Sequence, residues 1–499
     1  MTPELLTQIA ALKPEIYLTL GIVLTVIADL VFGVRGRNLV AVLGLAAVGM
    51  ALWCLADPAG SHPERVFGML TFDGYARFFR ALIISATGIV ILHAVVFRGM
   101  ENVSRNEFVP MLLGTALGGS LLVSTDNLVM LLLSLELLSL NSYLLAGWQR
   151  KERRSSEAAL KYLVYGALAS AIMIFGFSLL YGISGSLSLP VIGAGVSAAW
   201  SGGVLGTTQL VVIVATALVL VGFGFKIAAF PFHFWAPDVY EGAPTPVTTF
   251  LAVASKAAGF GVLIRFLDAV FLGEALNAEW LPRLGHVIAV ISAVTMTYGN
   301  VTAVLQRNVK RMLAYSSIAH AGYLLMGVAV MTSGLDADIG LDATLFYLAT
   351  YYVATLGAFG CVMALSNRFG AEDLDDYRGL GWSAPFTGAM FVLFLVSLTG
   401  LPPTAGFAGK VMLFMASLDS GLYWLAVVGA INAVVSLFYY FKIARAMYLR
   451  GDSKFIAGIP DRGVMVFFAR ASILALGVAT VYYGLAFDGL KTWVESALL

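Results

Sequence analysis

Charged side chains are scarce in this chain. Of its 499 residues only 12% are Asp, Glu, Lys or Arg, whereas 60% are hydrophobic. Soluble globular domains carry about a quarter charged residues, so the composition excludes an ordinary soluble protein. The formal net charge of +1 also lacks the basic excess with which proteins neutralise nucleic-acid phosphates. The sequence therefore predicts a polytopic membrane protein surrounded by the lipid bilayer, with no nucleic-acid partner.

Cysteine is almost absent as well. The two cysteines, Cys54 and Cys361, lie in apolar stretches far apart in the sequence, with neither a metal-ligand spacing nor a disulfide framework. The five histidines are not spaced as metal ligands, and no haem or iron–sulfur motif occurs. The segment GFGFKIAAFP (222–231) lacks the preceding soluble strand of a phosphate-binding loop. We therefore expect this chain to hold no metal ion or cofactor of its own.

Long apolar runs are abundant. A helix needs about 20 mainly apolar residues to cross a membrane, and the sequence contains fourteen candidate segments of this kind. The segments are 16–34, 38–56, 77–97, 108–124, 127–147, 160–183, 208–235, 245–271, 285–304, 312–332, 342–366, 386–416, 421–448 and 464–486. The sequence therefore predicts an all-α fold with about 14 transmembrane helices.

Lysine and arginine are concentrated in alternate loops. The loops after the first, third, fifth, ninth, eleventh and thirteenth segments each contain at least two of these residues. Intervening loops such as DPAGSHPE and GISGSLSLPVIGAG are nearly free of them. By the positive-inside rule, the basic loops are expected to be cytoplasmic and both termini to face the other side. The seventh loop, APDVYEGAPTP, has no base and is assigned to the cytoplasm by parity alone.

Two of the apolar runs are too long to be simple spans. As helices, residues 210–235 and 385–416 would measure about 39 Å and about 48 Å, against a hydrocarbon layer about 30 Å thick. The first contains Gly222, Gly224 and Pro231, and the second contains the turn-forming stretch TGLPPTAGFAG. We therefore expect two broken helices, with Lys226 just past the first break and Lys410 just past the second. Ion sites in transporters built from repeats have this arrangement.

The spacing of these lysines also predicts an internal repeat. Lys226 lies 118 residues into 108–272, and Lys410 lies 125 residues into 285–450. Since each unit has five spans, an odd number, the two units must be inverted relative to each other. The predicted organisation is three N-terminal helices in 1–107, a five-helix repeat in 108–272, an inverted one in 285–450, and a last helix in 451–499.

Four ionisable residues interrupt otherwise apolar segments: Glu136, Lys226, Lys256 and Lys410. An ionisable group inside a membrane is energetically expensive, so it is a functional-site candidate by default. Burial disfavours the charged form of lysine, which lets such a lysine hold or release a proton with modest help from its neighbours. We predict that the four residues, with His320 as a further candidate, transfer protons across the membrane.

A structural role stays open for each of these residues alone. Lys226 and Lys410 are also compatible with pairing to a helix end or a carboxylate, Lys256 with helix packing, and Glu136 with a passive counter-ion. Arg265 is expected to extend its side chain toward the far interface, because long basic side chains near helix ends do so.

Three segments resemble the antiporter-like subunits of respiratory complex I. They are FGFKIAAFPFHFWAPDVYEGAPTPVTTFLAVASKAAGF (223–260), QRNVKRMLAYSSIAHAGY (306–323) and SLTGLPPTAGFAGK (397–410). The resemblance implies fourteen spans, two inverted five-helix repeats and linked proton half-channels. It also implies that Glu136 and Lys226 are the paired carboxylate and lysine, that Lys256 connects the half-channels, and that Lys410 serves the second one.

The resemblance further implies a function. The chain is expected to be a proton-translocating membrane subunit of an NADH:quinone oxidoreductase, with NADH, FMN, iron–sulfur clusters and quinone used in other subunits. Its expected partners are other membrane subunits, including the antiporter-like subunit M and the small subunit K, in a bacterial inner membrane with periplasmic termini. Two alternatives stay open: a subunit of a multi-subunit cation/proton antiporter, and a scaffold whose buried charges only set helix packing.

Overall fold

The computed structural model describes residues 3–56, 65–96, 106–200, 206–272, 280–334, 337–449 and 464–497. These residues form helices joined by short loops, together with one antiparallel hairpin of strands β1 (Arg65–Val66) and β2 (Leu70–Thr71). The N-terminal helices are α1 (Pro3–Ala11), α2 (Lys13–Phe32), α3 (Arg37–Ala56) and α4 (Gly74–Val96).

The remaining helices follow in two groups and a C-terminal pair. The first group is α5 (Phe108–Val123), α6 (Leu128–Ala146), α7 (Arg153–Ser184), α8 (Leu189–Trp200), α9 (Thr207–Ile227), α10 (Trp235–Gly242), α11 (Thr245–Phe250) and α12 (Lys256–Leu267). The second group is α13 (Trp280–Val304), α14 (Val309–Met331), α15 (Ala337–Phe369), α16 (Leu380–Ser383), α17 (Pro385–Thr399), α18 (Ala405–Asp419) and α19 (Tyr423–Tyr448). The pair is α20 (Val464–Leu485) and α21 (Asp488–Glu495).

Within the described residues, twelve helical segments are long and apolar enough to cross a membrane. All fourteen segments predicted from the sequence lie on helices. Two predicted segments are not among these twelve. One lies on α5, which has 16 residues, and the other on α17 and α18, which have 15 residues each. The all-α polytopic class is therefore confirmed. The 12-residue α8 lies in a stretch expected to be a loop, because its apolar run is too short for a span.

Part of the loop-charge pattern lies outside the described residues. The bases concerned are Arg98, Arg105, Arg450, Lys454 and Arg462.

The centre of the molecule is formed by α11, α12 and α14. Every residue of α12, and every residue of α14 from Met312 to Met331, is buried. By contrast, large apolar side chains such as Leu30, Trp53 and Phe467 are exposed on α2, α3 and α20. Since water is an unfavourable neighbour for such a surface, the outer face of the protein is the face that contacts lipid.

Helices α13 and α14 approach each other closely at two glycines. A Cβ added at Gly299 would lie 2.6 Å from the backbone nitrogen of Ala319, and one added at Gly322 would lie 2.5 Å from that of Met296. Small residues allow this kind of close packing between membrane helices. The contact fixes α14, which carries His320, against α13.

The first predicted break occurs later in the chain than expected. Helix α9 continues through Gly222 and Gly224 and ends at Ile227, where Ala228 adopts a left-handed conformation with φ of 57°. Lys226 therefore lies in the last turn before the break, and the prediction that it follows the break is wrong. Gly222 is a packing residue, since an added Cβ would lie 2.5 Å from the sulfur of Met173.

The second break agrees with the sequence. Helix α17 ends at Thr399, Gly400 has φ of 86°, and α18 begins at Ala405. Glycine adopts such a positive φ without steric cost. Lys410 lies in the second turn of α18, past the break, as predicted.

A wide helical turn precedes Lys256. Residues Leu251–Ser255 form a π-helical turn between α11 and α12, and a second one, Asp268–Leu272, follows α12. Such turns inside helices are frequent at functional sites because they displace backbone groups from their usual partners. No sequence pattern predicted either turn.

Arg265 does not extend toward the interface, contrary to expectation. It is 6% exposed, and its guanidinium donates to Asp73 at 2.9 and 2.8 Å and to the carbonyl oxygen of Val123 at 3.0 Å. The reason is the partly buried carboxylate of Asp73, which lies just before α4 and binds the guanidinium in a bidentate manner. This ion pair attaches α12 to the N-terminal helices.

A second buried ion pair joins α2 to α4. Glu15 accepts hydrogen bonds from Arg80 at 3.0 and 2.6 Å and from the hydroxyl of Ser120 on α5 at 2.5 Å. The side chains of Glu15 and Arg80 are 6% and 5% exposed. The guanidinium also lies 4.3 Å from the ring centre of Phe72. The pair therefore links three helices through one fully engaged carboxylate.

Substitution of Arg80 tests this link. Arg80→Ala would leave Glu15 as an unpaired buried carboxylate, and removal of one partner from a buried pair costs about 3–5 kcal/mol. We expect a clearly lower melting temperature in detergent, measured as the folded fraction that survives heating. Arg77→Ala, on the same helix but exposed, is the matched control. Equal melting temperatures for the two variants would contradict a stabilising role of the pair.

Candidate functional site

Lys256 is the central residue of a buried polar chain. Its side chain is 2% exposed, its Nζ donates to the carbonyl oxygen of Ser317 on α14, and Nζ lies 5.8 Å from the ring centre of Tyr351 on α15. The hydroxyls of Ser317 and Tyr351 are 2.9 Å apart, and Tyr351 donates to the carbonyl oxygen of Ala252 at 3.1 Å. That carbonyl belongs to the π-helical turn before Lys256, so the turn supplies an acceptor to the chain.

His320 continues the chain on α14. The ring is 4% exposed, with Nδ1 2.6 Å from the hydroxyl of Tyr347 and Nε2 3.1 Å from that of Tyr440. A neutral imidazole has one donor and one acceptor nitrogen, so a hydroxyl on each side allows a proton to arrive at one nitrogen and leave from the other. Tyr440 is also hydrogen-bonded to the hydroxyl of Ser316. The histidine therefore has the contacts of a relay group.

Lys410 is held against a helix end. Its Nζ donates to the carbonyl oxygens of Leu398 at 3.2 Å and Thr399 at 2.7 Å, the last residues of α17. The C-terminal carbonyls of a helix carry partial negative charge, so the break creates a local site for an ammonium group. Nζ also lies 4.7 Å from the ring centre of Tyr323. A contact with a helix end is what a purely structural role of Lys410 predicts. An ion site at a broken helix requires the same contact.

Lys226 and Glu136 lie near each other without a direct ion pair. Lys226 Nζ donates to the hydroxyl of Ser139 at 3.1 Å, and Glu136 accepts from the hydroxyl of Ser170 at 2.6 Å. Among the described residues no nitrogen–oxygen contact within 4.0 Å joins the two charges. Glu136 and Ser139 are three residues apart on α6 and share one helix face. The hydroxyl that binds Lys226 therefore lies on the same face as the carboxylate.

Glu136 is half-buried, whereas the sequence suggested full burial. Its helix has one face on the outside of the molecule, where Leu133 and Leu140 are more than half exposed. An apolar sequence cannot distinguish burial inside the protein from exposure to lipid, which explains the difference.

The structure brings the candidate residues into one connected region. Two tyrosine rings link His320 to the lysines. The ring of Tyr351 lies 4.9 Å from the imidazole and 5.8 Å from Lys256 Nζ, and the ring of Tyr323 lies 6.1 Å from the imidazole and 4.7 Å from Lys410 Nζ. Lys226 packs against α12 one turn beyond Lys256, because a Cβ at Gly259 would lie 3.2 Å from its Cγ. The five candidates thus lie along a path from α6 and α9 through α12 and α14 to α18.

Sequence reasoning missed the hydroxyls that connect these residues. Tyr347 and Tyr351 are four residues apart and therefore share one face of α15, which points at His320 and Ser317. The four-residue spacing was the one sequence signal for these hydroxyls. Tyrosines that only fill the space between helices have the same spacing, so the signal does not identify their role. Tyr440 comes from α19, a distant part of the sequence, so no local pattern associates it with His320.

Ion pairs connect the acidic residues of the seventh loop to bases of two neighbouring helices. Asp238 on α10 accepts from Lys161 of α7 at 2.5 Å and from Arg311 of α14 at 2.6 Å, and Arg311 also reaches Glu241 at 3.0 Å. The loop thus lies beside the ends of α7 and α14 near the fifth and ninth loops, as parity required. Burial acts to raise the pKa of Asp238, but the hydrogen bonds from Lys161 and Arg311 outweigh it and lower the pKa.

Buried ionisable residues at broken helices in an apolar bundle are typical of ion-translocating membrane proteins. The transmembrane family described as NADH:quinone oxidoreductase/Mrp antiporter matches residues 125–436. The chain is 41% identical to NADH-quinone oxidoreductase subunit N of Chlorobium chlorochromatii, over 99% of this chain and 96% of that protein. It is 42% identical to subunit N 2 of Sorangium cellulosum, over 98% of each. The chain belongs to the NADH:quinone oxidoreductase/Mrp antiporter family.

Solved structures agree with this assignment. A chain of respiratory complex I from Thermus thermophilus has a TM-score of 0.76 at 33% identity and covers 96% of this chain and 98% of its own length. A chain of the Mrp complex from a Dietzia species has a TM-score of 0.81 at 24% identity, covering 100% and 97%, and is similar in fold. Within the family, the segment DVYEGAPTPVT and Lys410 point to subunit N, in agreement with the names of these relatives.

The pH dependence of stability tests the ion pairs of Asp238. Because its folded pKa is lowered, its contribution to stability is complete above the unfolded value of about 4 and is lost as pH falls through the folded value. Asp238→Asn should therefore melt at a lower temperature than the wild type at pH 7, because its free energy of unfolding is lower by about 1 kcal/mol. The difference in melting temperature between the wild type and the variant should shrink below about pH 4.

Melting of the wild type and variant in detergent at neutral and acidic pH measures this effect. Asp488→Asn, at an exposed position of α21, is the control and should show no difference at either pH. A difference for Asp238→Asn that is independent of pH would contradict the account.

Proposed function

We propose that this chain is a proton-translocating membrane subunit of NADH-quinone oxidoreductase, or complex I, corresponding to subunit N. It couples NADH:quinone electron transfer in other subunits to proton pumping. Membership of the family and relatives about 40% identical over nearly their whole length support this function.

The observation that carries the proposal is the continuous polar chain through the buried centre. Lys256, Ser317, Tyr351, His320 and Tyr347 are all buried and are linked by hydrogen bonds or ring contacts. A scaffold has no need of such a path, because buried polar groups are costly unless they are satisfied. A proton pathway requires alternating donors and acceptors of this kind.

In this proposal each candidate residue has a distinct role. Glu136 and Lys226 form a pair whose protonation states depend on each other, and Ser139, three residues after Glu136, accepts a hydrogen bond from Lys226. When the pair separates, Glu136 gains a proton and Lys226 releases one more easily. Lys256 and His320 carry the proton toward Lys410 at the second broken helix.

Coupling must exceed the electrical work of moving the proton. One elementary charge moved across 100 mV requires about 2.3 kcal/mol. Electron transfer must therefore shift the proton affinities of the chain by at least this amount.

The finer features of the assembly are also proposals. The neighbours are the antiporter-like subunit M and the small subunit K, and NADH, FMN, iron–sulfur clusters and quinone are bound by other subunits. The membrane is a bacterial inner membrane, with basic loops in the cytoplasm and termini in the periplasm. Residues 108–272 and 285–450 are the two inverted repeats, supported by a broken helix in each.

A subunit of a multi-subunit cation/proton antiporter is the second candidate, since the family includes Mrp antiporters. Purification discriminates between the two. Flavin and iron–sulfur subunits co-isolate with the chain in the first case, whereas sodium-dependent proton exchange without them supports the second.

Substitution of the lysines tests the proposed function. Lys226→Ala and Lys256→Ala should each lower proton pumping and the coupled quinone reductase rate at least about fivefold, because positioned proton-transfer groups contribute about 10²–10⁴-fold. Glu136→Ala should act in the same direction. The measurement is NADH-driven acidification of proteoliposomes that contain the purified complex, with assembly checked by subunit composition.

Lys491→Ala is the matched control, because Lys491 is a partly exposed lysine on α21 that pairs with Glu495 at 3.6 Å. It should leave pumping unchanged. Normal pumping by a fully assembled Lys226→Ala or Lys256→Ala complex would rule out the relay. Loss of assembly without a pumping defect in the assembled fraction would support the scaffold alternative.

A further inference from the structure

Helices α6 and α14 begin in the same way. The side chain of Asn127 accepts hydrogen bonds from two backbone N–H groups in the first turn of α6, at 3.0 and 3.3 Å, and that of Asn308 accepts one at 3.1 Å in the first turn of α14. Each asparagine also forms an antiparallel β-bridge with a residue just past the next helix, Ser188 after α7 and Asp373 after α15. The two asparagines therefore occupy matching positions in the two helix groups.

The packing of the preceding helix gives the register between α6 and α14. A Cβ added at Gly118 on α5 would lie 2.6 Å from the backbone nitrogen of Leu138 on α6. A Cβ added at Gly299 on α13 would likewise lie 2.6 Å from the backbone nitrogen of Ala319 on α14. The two capping asparagines, the two glycines and the two contacted residues are each 181 positions apart in the chain. Separate contacts thus agree on one register.

In this register Ser139 on α6 corresponds to His320 on α14. Both lie 12 residues after the capping asparagine, and they are 3% and 4% exposed. Each also lies near the lysine at the broken helix of its own group. Ser139 accepts a hydrogen bond from Lys226 Nζ at 3.1 Å, whereas His320 and Lys410 both contact the ring of Tyr323. The position that holds an imidazole in one group holds a hydroxyl in the other.

The hydrogen bond of Ser139 is not the usual one for a buried serine in a helix. Ser142, also on α6 and fully buried, donates to the carbonyl oxygen of Leu138 four residues earlier, at 2.7 Å. Such a bond to the preceding turn is the common local pattern. The bond of Ser139 instead reaches another helix, and within the described residues it is the one hydrogen bond that Lys226 Nζ makes. Ser139 therefore determines where the ammonium group is held.

A hydroxyl is a suitable partner for a lysine in either protonation state. Serine has one donor hydrogen and two acceptor lone pairs, whereas an ammonium group only donates. The oxygen of Ser139 accepts from Lys226 while the lysine carries its proton. After the lysine releases that proton, rotation about the Cβ–Oγ bond lets the hydroxyl donate to the lone pair of the neutral amine. The neutral imidazole of His320 also has one donor and one acceptor, so both matching positions hold a group with this dual capacity.

We propose that Ser139 is a positioning residue of the proton relay, the counterpart of His320 in the first helix group. Its hydroxyl holds Lys226 against the face of α6 that carries Glu136 in both protonation states of the lysine. The serine keeps its own hydrogen throughout and acts only through Lys226. The proposal rests on the proposed function of the chain.

Two variants of similar shape test the hydroxyl itself. Ser139→Thr and Ser139→Val introduce the same branched side chain, but only the first retains a hydroxyl. In NADH-driven acidification of proteoliposomes with the purified complex, Ser139→Thr should pump at a rate close to the wild type. Ser139→Val should pump about tenfold more slowly or worse, because a reacting group misplaced by about 1 Å can cost about 100-fold. A packing role predicts equal pumping by the two variants.

A cycle of substitutions tests whether the serine acts through the lysine. Ser139→Ala should lower pumping as Ser139→Val does, since both lack the hydroxyl. In the Lys226→Ala background the same substitution should cause no further loss, because the group that it positions is already absent. Ser142→Ala is the matched control, a buried serine on the same helix whose hydroxyl bonds within the helix. It should assemble and pump at the wild-type rate.

Equal pumping by the Thr and Val variants would overturn the proposal, as would normal pumping by Ser139→Ala or additive effects of Ser139→Ala and Lys226→Ala. Failure of Ser139→Ala to assemble would identify a folding role and also overturn it. If neither branched variant assembles, Ser139→Ala and the cycle with Lys226→Ala decide. Impaired Lys226→Ala with normal Ser139→Ala contradicts only the positioning role, whereas normal pumping by Lys226→Ala contradicts the proposed function itself.

Discussion

The free-energy cost of an ammonium group in an apolar interior governs this structure. Lys226, Lys256 and Lys410 are each 2–3% exposed, and among the described residues none contacts a carboxylate. Their partners are a serine hydroxyl, a carbonyl of α14 and two carbonyls at the end of α17. Neutral partners stabilise a buried charge less than a carboxylate does. Each lysine is therefore left able to give up its proton.

Irregular helix geometry supplies those partners. In a regular helix the backbone carbonyls accept hydrogen bonds from the same helix. Buried lysines therefore need positions where these backbone hydrogen bonds are interrupted and a carbonyl is free to accept. The break after α17 frees the carbonyls that hold Lys410, and the π-helical turn before α12 exposes the carbonyl of Ala252 to Tyr351. The break after α9 differs, because its lysine lies before the break and bonds to a hydroxyl of α6. The two broken helices are thus not equivalent in how they hold their lysines.

The sequence predicted the fold class and the positions of the spans because the length of an apolar run is set directly by membrane thickness. It also singled out Lys226, Lys256, Lys410, Glu136 and His320, since a lone ionisable residue in such a run is conspicuous. It failed where the outcome depends on a distant neighbour. Gly222 packs on Met173 and does not break α9, and Arg265 is buried because Asp73 reaches it. The connecting tyrosines come from α15 and α19, whose meeting at His320 no local pattern encodes.

The central claim is that Lys256 and His320 act in series on one proton path. A double-variant cycle on pumping by the assembled complex tests it most directly, with Lys256→Ala, His320→Ala and both together. Since groups in series block the same step, the account predicts that the double variant pumps no more slowly than the slower single variant, a strongly non-additive result. If the free-energy effects of the two substitutions simply add, the residues act independently and the relay is contradicted.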